Sequence, residues 1–154
     1  MEQAKLKEKP SLSLTRAYGA APEKVWRAWT DPQALKSWFG PESSEVLLAE
    51  ADVRVGGRFR IVVRTGDGDQ HDVSGVYREV QTNRRLVFTW AWKSTPERVS
   101  LVTLTLRPAG KGTELTLLHE QFFDQTARDR HESGWTTILR KLDTYLISER
   151  QAHG

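Results

Sequence analysis

Cysteine is absent from the 154 residues, so the chain can form neither a disulfide framework nor a zinc site built on thiolates. Long apolar runs are also missing, and no segment approaches the roughly 20 residues that a membrane-spanning helix needs. The N-terminal segment MEQAKLKEKPSLSLT lacks the apolar core of a secretory signal. Together these absences predict a cytoplasmic protein without a membrane span.

The motifs of common catalytic and nucleotide-binding sites are missing as well. The sequence has no G-x-S-x-G nucleophile turn, no P-loop, no H-E-x-x-H zinc motif and no G-x-G-x-x-G after a predicted strand. No spacing of histidine and carboxylate residues indicates converging metal ligands. We therefore expect no metal and no cofactor, and the absences weigh against an enzyme.

A strong excess of one charge is lacking too, since 23 Lys and Arg against 20 Asp and Glu give a net charge of +3. Basic and acidic residues alternate, as in RDRHE at residues 128–132, and no long basic run occurs. Nucleic acid is therefore not an expected partner. The length corresponds to one domain, which we place at residues 11–150 behind a disordered leader over residues 1–10.

Tryptophan, by contrast, is abundant, and three of the six tryptophans lie between residues 21 and 40. Pro22 suits the first turn of a helix, where its missing N–H would have no partner anyway. Asp31 and Pro32 repeat this signal, because Asp caps and Pro opens a second helix, and Gly40 can end it in the left-handed conformation. The segment therefore predicts two short helices that present aromatic side chains to a larger surface.

Alternating apolar residues predict an antiparallel sheet around this helical pair. A first strand is expected at Leu12 and Leu14, and further strands are expected over residues 45–49, 57–64, 72–80, 86–92, 99–107 and 113–122. Apolar residues spaced by three and four predict a final helix from Gly134 to about Glu149. One sheet covered by a single long helix, with two short helices after the first strand, is an α+β architecture.

The helical pair also carries the clearest resemblance to a known family. Its sequence from Pro22 reads PEKVWRAWTDP and continues through Leu35, Trp38-Phe39 and Gly40-Pro41. Further matches follow in the order Gly56-Gly57-Arg58-Phe59, residues 75–80, residues 85–90, and His131 with Gly134-Trp135. On these motifs the chain resembles, from about Leu12 to Leu146, the homologues of the activator of heat-shock-protein-90 ATPase, a branch of the START-like, polyketide cyclase-like (SRPBCC) superfamily.

This resemblance implies a helix-grip fold, in which a strongly curved sheet surrounds the C-terminal helix and leaves a cavity between them. The residues expected to line or gate the cavity are Trp38, Phe39, Phe59, Tyr77, Trp90, His119 and Trp135. Arg60 is a further candidate polar group. His131, just before the expected helix, is interpreted as a capping or helix-packing residue.

His119 allows two interpretations. It shares strand parity with Leu115 and Leu117, so it should face the helix and the cavity with them. There it could act as a polar anchor or general base in an apolar pocket. Alternatively, it is a core histidine whose ring nitrogens are hydrogen-bonded, and we favour this second interpretation.

Three functions are consistent with these residues. The first is binding of a small hydrophobic or aromatic ligand in an apolar cavity gated by the Trp38–Phe39 segment. The second is a cyclase- or hydratase-like enzyme that moves protons through His119. The third, implied by the family, is a module that regulates a chaperone ATPase, and it ranks last. Exposed strands at the sheet edges permit either a monomer or a homodimer.

Overall fold

The structure is a computed structural model that describes residues 9–153, so most of the predicted leader lies outside the described residues. The elements follow in the order β1 (Leu12–Tyr18), α1 (Pro22–Thr30), α2 (Pro32–Trp38), β2 (Glu45–Ala51), β3 (Arg58–Arg64), β4 (Gln70–Gln81), β5 (Arg85–Trp92), β6 (Ser100–Ala109), β7 (Gly112–Glu120) and α3 (Gln125–His153). Within these residues no helix is both long and apolar enough to cross a membrane.

The strands form one antiparallel sheet in the order β1-β7-β6-β5-β4-β3-β2. Strands β1 and β2, which the α1–α2 pair separates along the chain, therefore lie at opposite edges of the sheet. The sheet curls into a half-barrel, and α3 contacts β1 and both short helices. The predicted α+β helix-grip fold is confirmed.

The two short helices begin and end where their local signals predict. Pro22 occupies the first turn of α1 and Pro32 that of α2. Asp31 serves both helices, because its backbone N–H donates to the Arg27 carbonyl and its side chain accepts from the Gln33 N–H at 3.0 Å. Gly40 follows α2 with a φ of +104°, a conformation that favours glycine. The chain can therefore turn sharply out of α2 into the loop that leads to β2.

Helix α3 is longer than predicted, and the predicted start at Gly134 is wrong. The helix begins at Gln125, where the Asp124 carboxylate accepts from the Ala127 N–H at 2.8 Å in the manner of an N-cap. The first two turns are mostly polar, so the apolar pattern that we used to define the helix starts only at Trp135. His131 therefore lies inside the helix rather than at its entrance.

Gly75 of β4 lies too close to the backbone of β5 for a side chain to fit. A Cβ atom at this position would lie 1.9 Å from the Thr89 carbonyl oxygen and 2.6 Å from a ring carbon of Phe59. Beside it, the Val76 N–H donates to the Thr89 hydroxyl at 2.8 Å instead of a backbone carbonyl. The pairing register then shifts between Tyr77 and Glu79. Glycine is thus required where the sheet is irregular, next to the aromatic side chains of its inner face.

Candidate functional site

Aromatic rings from the helices and the inner face of the sheet meet in one cluster. The Trp29 and Trp38 ring centroids are 4.9 Å apart in an edge-to-face arrangement, and those of Trp90 and Trp135 are 5.1 Å apart. Phe39 links the two pairs, with its ring 5.7 Å from Trp38 and 6.1 Å from Trp135. Such pairs stabilise a core beyond their area of burial. The cluster therefore joins the two short helices and α3 to the inner face of the sheet.

A small pocket remains beside this cluster. Its walls are formed by nine buried residues, six of them aromatic: Trp29, Leu35, Phe39, Phe59, Ile61, Tyr77, Leu86, Phe88 and Trp90. Its volume is about 20 Å³, which is room for about one water molecule, whereas a cavity known to bind benzene measures about 150 Å³. In this conformation the protein's own side chains occupy most of the expected cavity.

The structure brings only some of the predicted site residues to this pocket. Phe39, Phe59, Tyr77 and Trp90 line it. Trp38, His119 and Trp135 are equally buried but are not among its lining residues. The candidate Arg60 lies on the face of β3 that points away from the pocket. There its guanidinium donates two hydrogen bonds, of 3.1 and 2.8 Å, to the carboxylate of Asp72.

Five lining residues were not named from the sequence. Ile61 on β3 shares a face with Phe59, and Leu86 and Phe88 on β5 share a face with Trp90. These three residues could therefore have been found from strand alternation. The position of Trp29 on the pocket wall depends on how α1 packs against the sheet. Leu35 on α2 is likewise placed by packing.

Polar groups at the pocket are few. Burial, aided by the Asp52 carboxylate, raises the pKa of Tyr77 far above its ordinary value, so its phenol stays neutral. The Trp90 indole N–H is already engaged by His131. The Trp29 Nε1 atom is buried and has no hydrogen-bond partner within the described residues. In contrast, the Trp38 indole N–H donates to the Ala28 carbonyl at 3.0 Å.

His119 lies behind this pocket, fully buried, with both ring nitrogens hydrogen-bonded. The Trp135 indole N–H donates to Nδ1 at 2.9 Å. Since an indole can only donate, Nδ1 carries no proton and the proton of the neutral ring is on Nε2. Nε2 then donates to the Ser100 hydroxyl at 2.7 Å, and that hydroxyl donates to the Trp90 carbonyl at 3.2 Å. A general-base role for His119 stays a prediction, and it requires one of these bonds to break.

His131 is held in the complementary tautomer. Its Nε2 accepts from two indole N–H groups, those of Trp90 at 3.3 Å and Trp92 at 3.0 Å. Its Nδ1 therefore carries the proton and donates to the Ala127 carbonyl at 2.7 Å. The ring centroids of His131 and His119 are 5.1 Å apart. Protonating either histidine would place a new ring N–H against an indole N–H, so that two donors would face each other. The hydrogen bonds therefore favour the neutral form of both rings.

This arrangement predicts a loss of stability in mild acid. Burial lowers the pKa of His119, helped by the adjacent His131, and burial also lowers the pKa of His131. Below about pH 6.5 these two imidazoles therefore bind protons in the unfolded chain but stay neutral in the folded protein. The free energy of unfolding then falls as the pH is lowered, until the folded-state pKa values are reached. For two histidines, the free energy of unfolding should fall by up to about 2.7 kcal/mol per pH unit.

Urea unfolding at a series of pH values between about 7 and about 5 measures this slope. His131→Gln should reduce the slope by about half, because one of the two titrating groups is removed. His71→Gln, which changes an exposed imidazole, is the matched control. A wild-type stability that does not change over this range would contradict the neutral assignment.

Helix α3 also holds the loop that follows α2. The Lys141 ammonium donates to the carbonyls of Gly40 and Pro41 at 2.9 and 3.1 Å, and the neighbouring Arg140 pairs with Glu42. Burial lowers the pKa of Lys141. Because Phe39 directly precedes these residues, this attachment holds one wall of the pocket in place.

Across residues 9–153, no group of three or more histidine or carboxylate side chains is placed to hold a metal ion.

Fold and pocket together define the class of protein, a helix-grip protein of the START-like kind with an aromatic pocket on the inner face of its sheet. The family model described as "Activator of Hsp90 ATPase homolog 1-like protein" (AHSA1) matches residues 19–147. The chain belongs to this family, as its motifs predict. Among curated proteins no significant sequence match was found.

Solved structures agree with this assignment. The AHSA1 protein from Silicibacter pomeroyi is 32% identical, with a TM-score of 0.82 over 91% of this chain and 99% of that chain. A protein from Chromobacterium violaceum is 29% identical, with a TM-score of 0.80 over 87% of this chain and 94% of that chain. An AHSA1-like protein from Aeromonas hydrophila, at 21% identity and a TM-score of 0.76 over 91% of this chain and 94% of that chain, shares the fold.

Proposed function

We propose that this protein binds a small apolar molecule in the aromatic pocket and that the pocket widens to admit it. The observation that carries the proposal is the composition of the pocket wall, where six of nine residues are aromatic and the rest aliphatic. Ligand sites have this character, with affinity from apolar burial and selectivity from few polar groups. The void of about 20 Å³ is too small for a ligand, so binding must displace a wall residue.

Phe39 is the wall residue best placed to move. Phe59, Ile61, Tyr77, Leu86 and Phe88 lie on strands that pair with a neighbour on each side. Phe39 lies just beyond the last residue of α2, in an extended conformation, and is followed by the left-handed Gly40. The restraints on this segment from α3 are the attachments of the adjoining loop to Lys141 and Arg140 and the contact between the Phe39 and Trp135 rings. A swing of Phe39 would enlarge the pocket without disturbing the sheet.

A benzene titration followed by NMR tests this proposal. We expect saturable shifts of the Phe39, Phe59 and Trp90 resonances in the wild-type protein. Ile61→Phe should fill the void and abolish the shifts. Val62→Phe introduces the same side chain at the next position, on the opposite face of β3, and should leave binding intact. Absence of saturable shifts in the wild type, or unchanged binding in Ile61→Phe, would reject the proposal.

The two other functions stay predictions. An enzyme acting through His119 would need that ring to exchange its bonds with Trp135 or Ser100 for a bond to substrate. Regulation of a chaperone ATPase is suggested by the family description alone.

A further inference from the structure

Trp29 is a residue of the pocket wall, and its buried indole N–H has no hydrogen-bond partner within residues 9–153. The side chain is only 5% exposed, so bulk water does not solvate it freely. Leaving a buried donor unpaired is unfavourable, and such groups are rare in folded proteins. Because Trp29 is a lining residue of the candidate pocket, a ligand that enters the widened pocket can supply the missing acceptor.

The rest of the wall limits what that partner can be. Apart from Trp29, the lining residues offer the neutral Tyr77 phenol and a Trp90 N–H already bonded to His131. No lysine, arginine or histidine is among the lining residues. An anionic acceptor would therefore be buried without a counter-charge, which is strongly unfavourable. A neutral acceptor such as a carbonyl, an ether oxygen or an aromatic ring nitrogen meets no such penalty.

We infer that the ligand is a neutral, predominantly aromatic or apolar molecule carrying one hydrogen-bond acceptor, which the Trp29 N–H binds. This inference rests on the proposed function and specifies its ligand class. The acceptor sets the orientation of the ligand, with its apolar body directed toward Phe39, Phe59 and Phe88.

The alternative partner is the Trp38 ring. Its centroid lies 4.9 Å from that of Trp29, with the ring planes at 73°, and an indole N–H can donate weakly to an aromatic face in such an arrangement. If Trp29 donates to this ring, the N–H has a partner without a ligand. A ligand that carries an acceptor should then bind no more tightly than one that lacks it. The two states differ in the NMR resonance of the Trp29 indole proton.

Benzene and pyridine form a matched pair of probes, because they share shape and size but only pyridine carries an acceptor. The experiment titrates each into the wild-type protein at alkaline pH, where pyridine is neutral. We expect pyridine to move the Trp29 indole proton downfield, while the Trp38 indole proton, already bonded to Ala28, stays in place. Benzene should perturb the pocket without this downfield shift.

Two variants make the comparison quantitative. In Trp29→Phe the preference for pyridine over benzene, taken as the ratio of their dissociation constants, should fall by about two- to tenfold, the range of one net hydrogen bond. We use the ratio because the space left by the smaller phenyl ring should change the dissociation constants of both probes to a similar extent. Trp26→Phe, at a partly buried tryptophan outside the pocket wall, should leave the ratio unchanged.

The outcomes separate the inference from the function on which it rests. If both probes bind but neither the Trp29 resonance nor the ratio in Trp29→Phe changes, the inference is overturned and the pocket remains a ligand site. If neither probe binds the wild type, the proposed function fails and the inference with it. Should Trp29→Phe not fold, the wild-type indole resonance alone decides.

Discussion

Gly75→Ala is expected to lower the free energy of unfolding by at least about 3 kcal/mol, at or beyond the upper end of typical overpacking effects. The added Cβ would lie 1.9 Å from the Thr89 oxygen and 2.7 Å from the carbon of the same carbonyl. Both are backbone atoms of the neighbouring strand, so no rotamer change can relieve the overlap. The strands must separate, and the Val76 N–H would lose its bond to the Thr89 hydroxyl. Urea unfolding measures the loss, and a soluble yield near zero would be its extreme form.

Gly134→Ala is the matched control, because it is the same substitution but is expected to raise the free energy of unfolding rather than lower it. Gly134 lies inside α3, and nothing is found within 4 Å of the Cβ that alanine would add. Because alanine restricts the unfolded chain, stability should rise by about 0.4–1 kcal/mol. If Gly75→Ala were as stable as the wild type, the close approach of β4 and β5 at this point would be refuted.

His119→Ala should be about as damaging, with an expected loss of about 3–5 kcal/mol. The substitution leaves the Trp135 indole N–H and the Ser100 hydroxyl without their partner in a fully buried site. It also leaves a cavity beside Phe122, whose ring centroid lies 4.2 Å from that of His119. Thermal or urea unfolding gives the size of the effect.

The control for His119→Ala is His71→Ala, which removes an exposed imidazole and should change stability by no more than about 0.5 kcal/mol. A second readout identifies the cause of the loss. The Trp135 indole proton should move upfield in His119→Ala, because its acceptor is gone. A loss below about 1 kcal/mol would mean that the Trp135–His119–Ser100 chain contributes little.

Local sequence signals were sufficient to predict the boundaries of helices that begin or end at a proline, a capping residue or a glycine. Pro22, the Asp31-Pro32 pair and Gly40 act through backbone geometry and capping, which neighbours in sequence decide, and α1 and α2 begin and end as predicted. The family resemblance likewise pointed to Phe59 and Trp90, which do line the pocket. The start of α3 was missed because a cap at Asp124 precedes two polar turns that carry no apolar pattern.

The candidate site depends on contacts that no local pattern encodes. Trp90 and His131 are bonded to each other although 41 positions apart, and Trp135 meets His119 across the helix–sheet interface. Strand parity could point His119 inward but could not say which donors would meet it there. Nor could it show that Trp29, rather than Trp38, would form part of the pocket wall.

The sequence by itself therefore determined the α+β fold class and the two short helices, which follow from periodicity and backbone preferences. It also determined the family, through the motifs that the chain shares with it. Only the tertiary structure decided that the cavity is narrowed to about 20 Å³ and that both histidines are held neutral. It also decided that the Trp29 N–H has no hydrogen-bond partner among the residues that the structure describes. Those properties depend on how rings from distant parts of the chain pack, and packing at this scale is set by distances of a few tenths of an ångström.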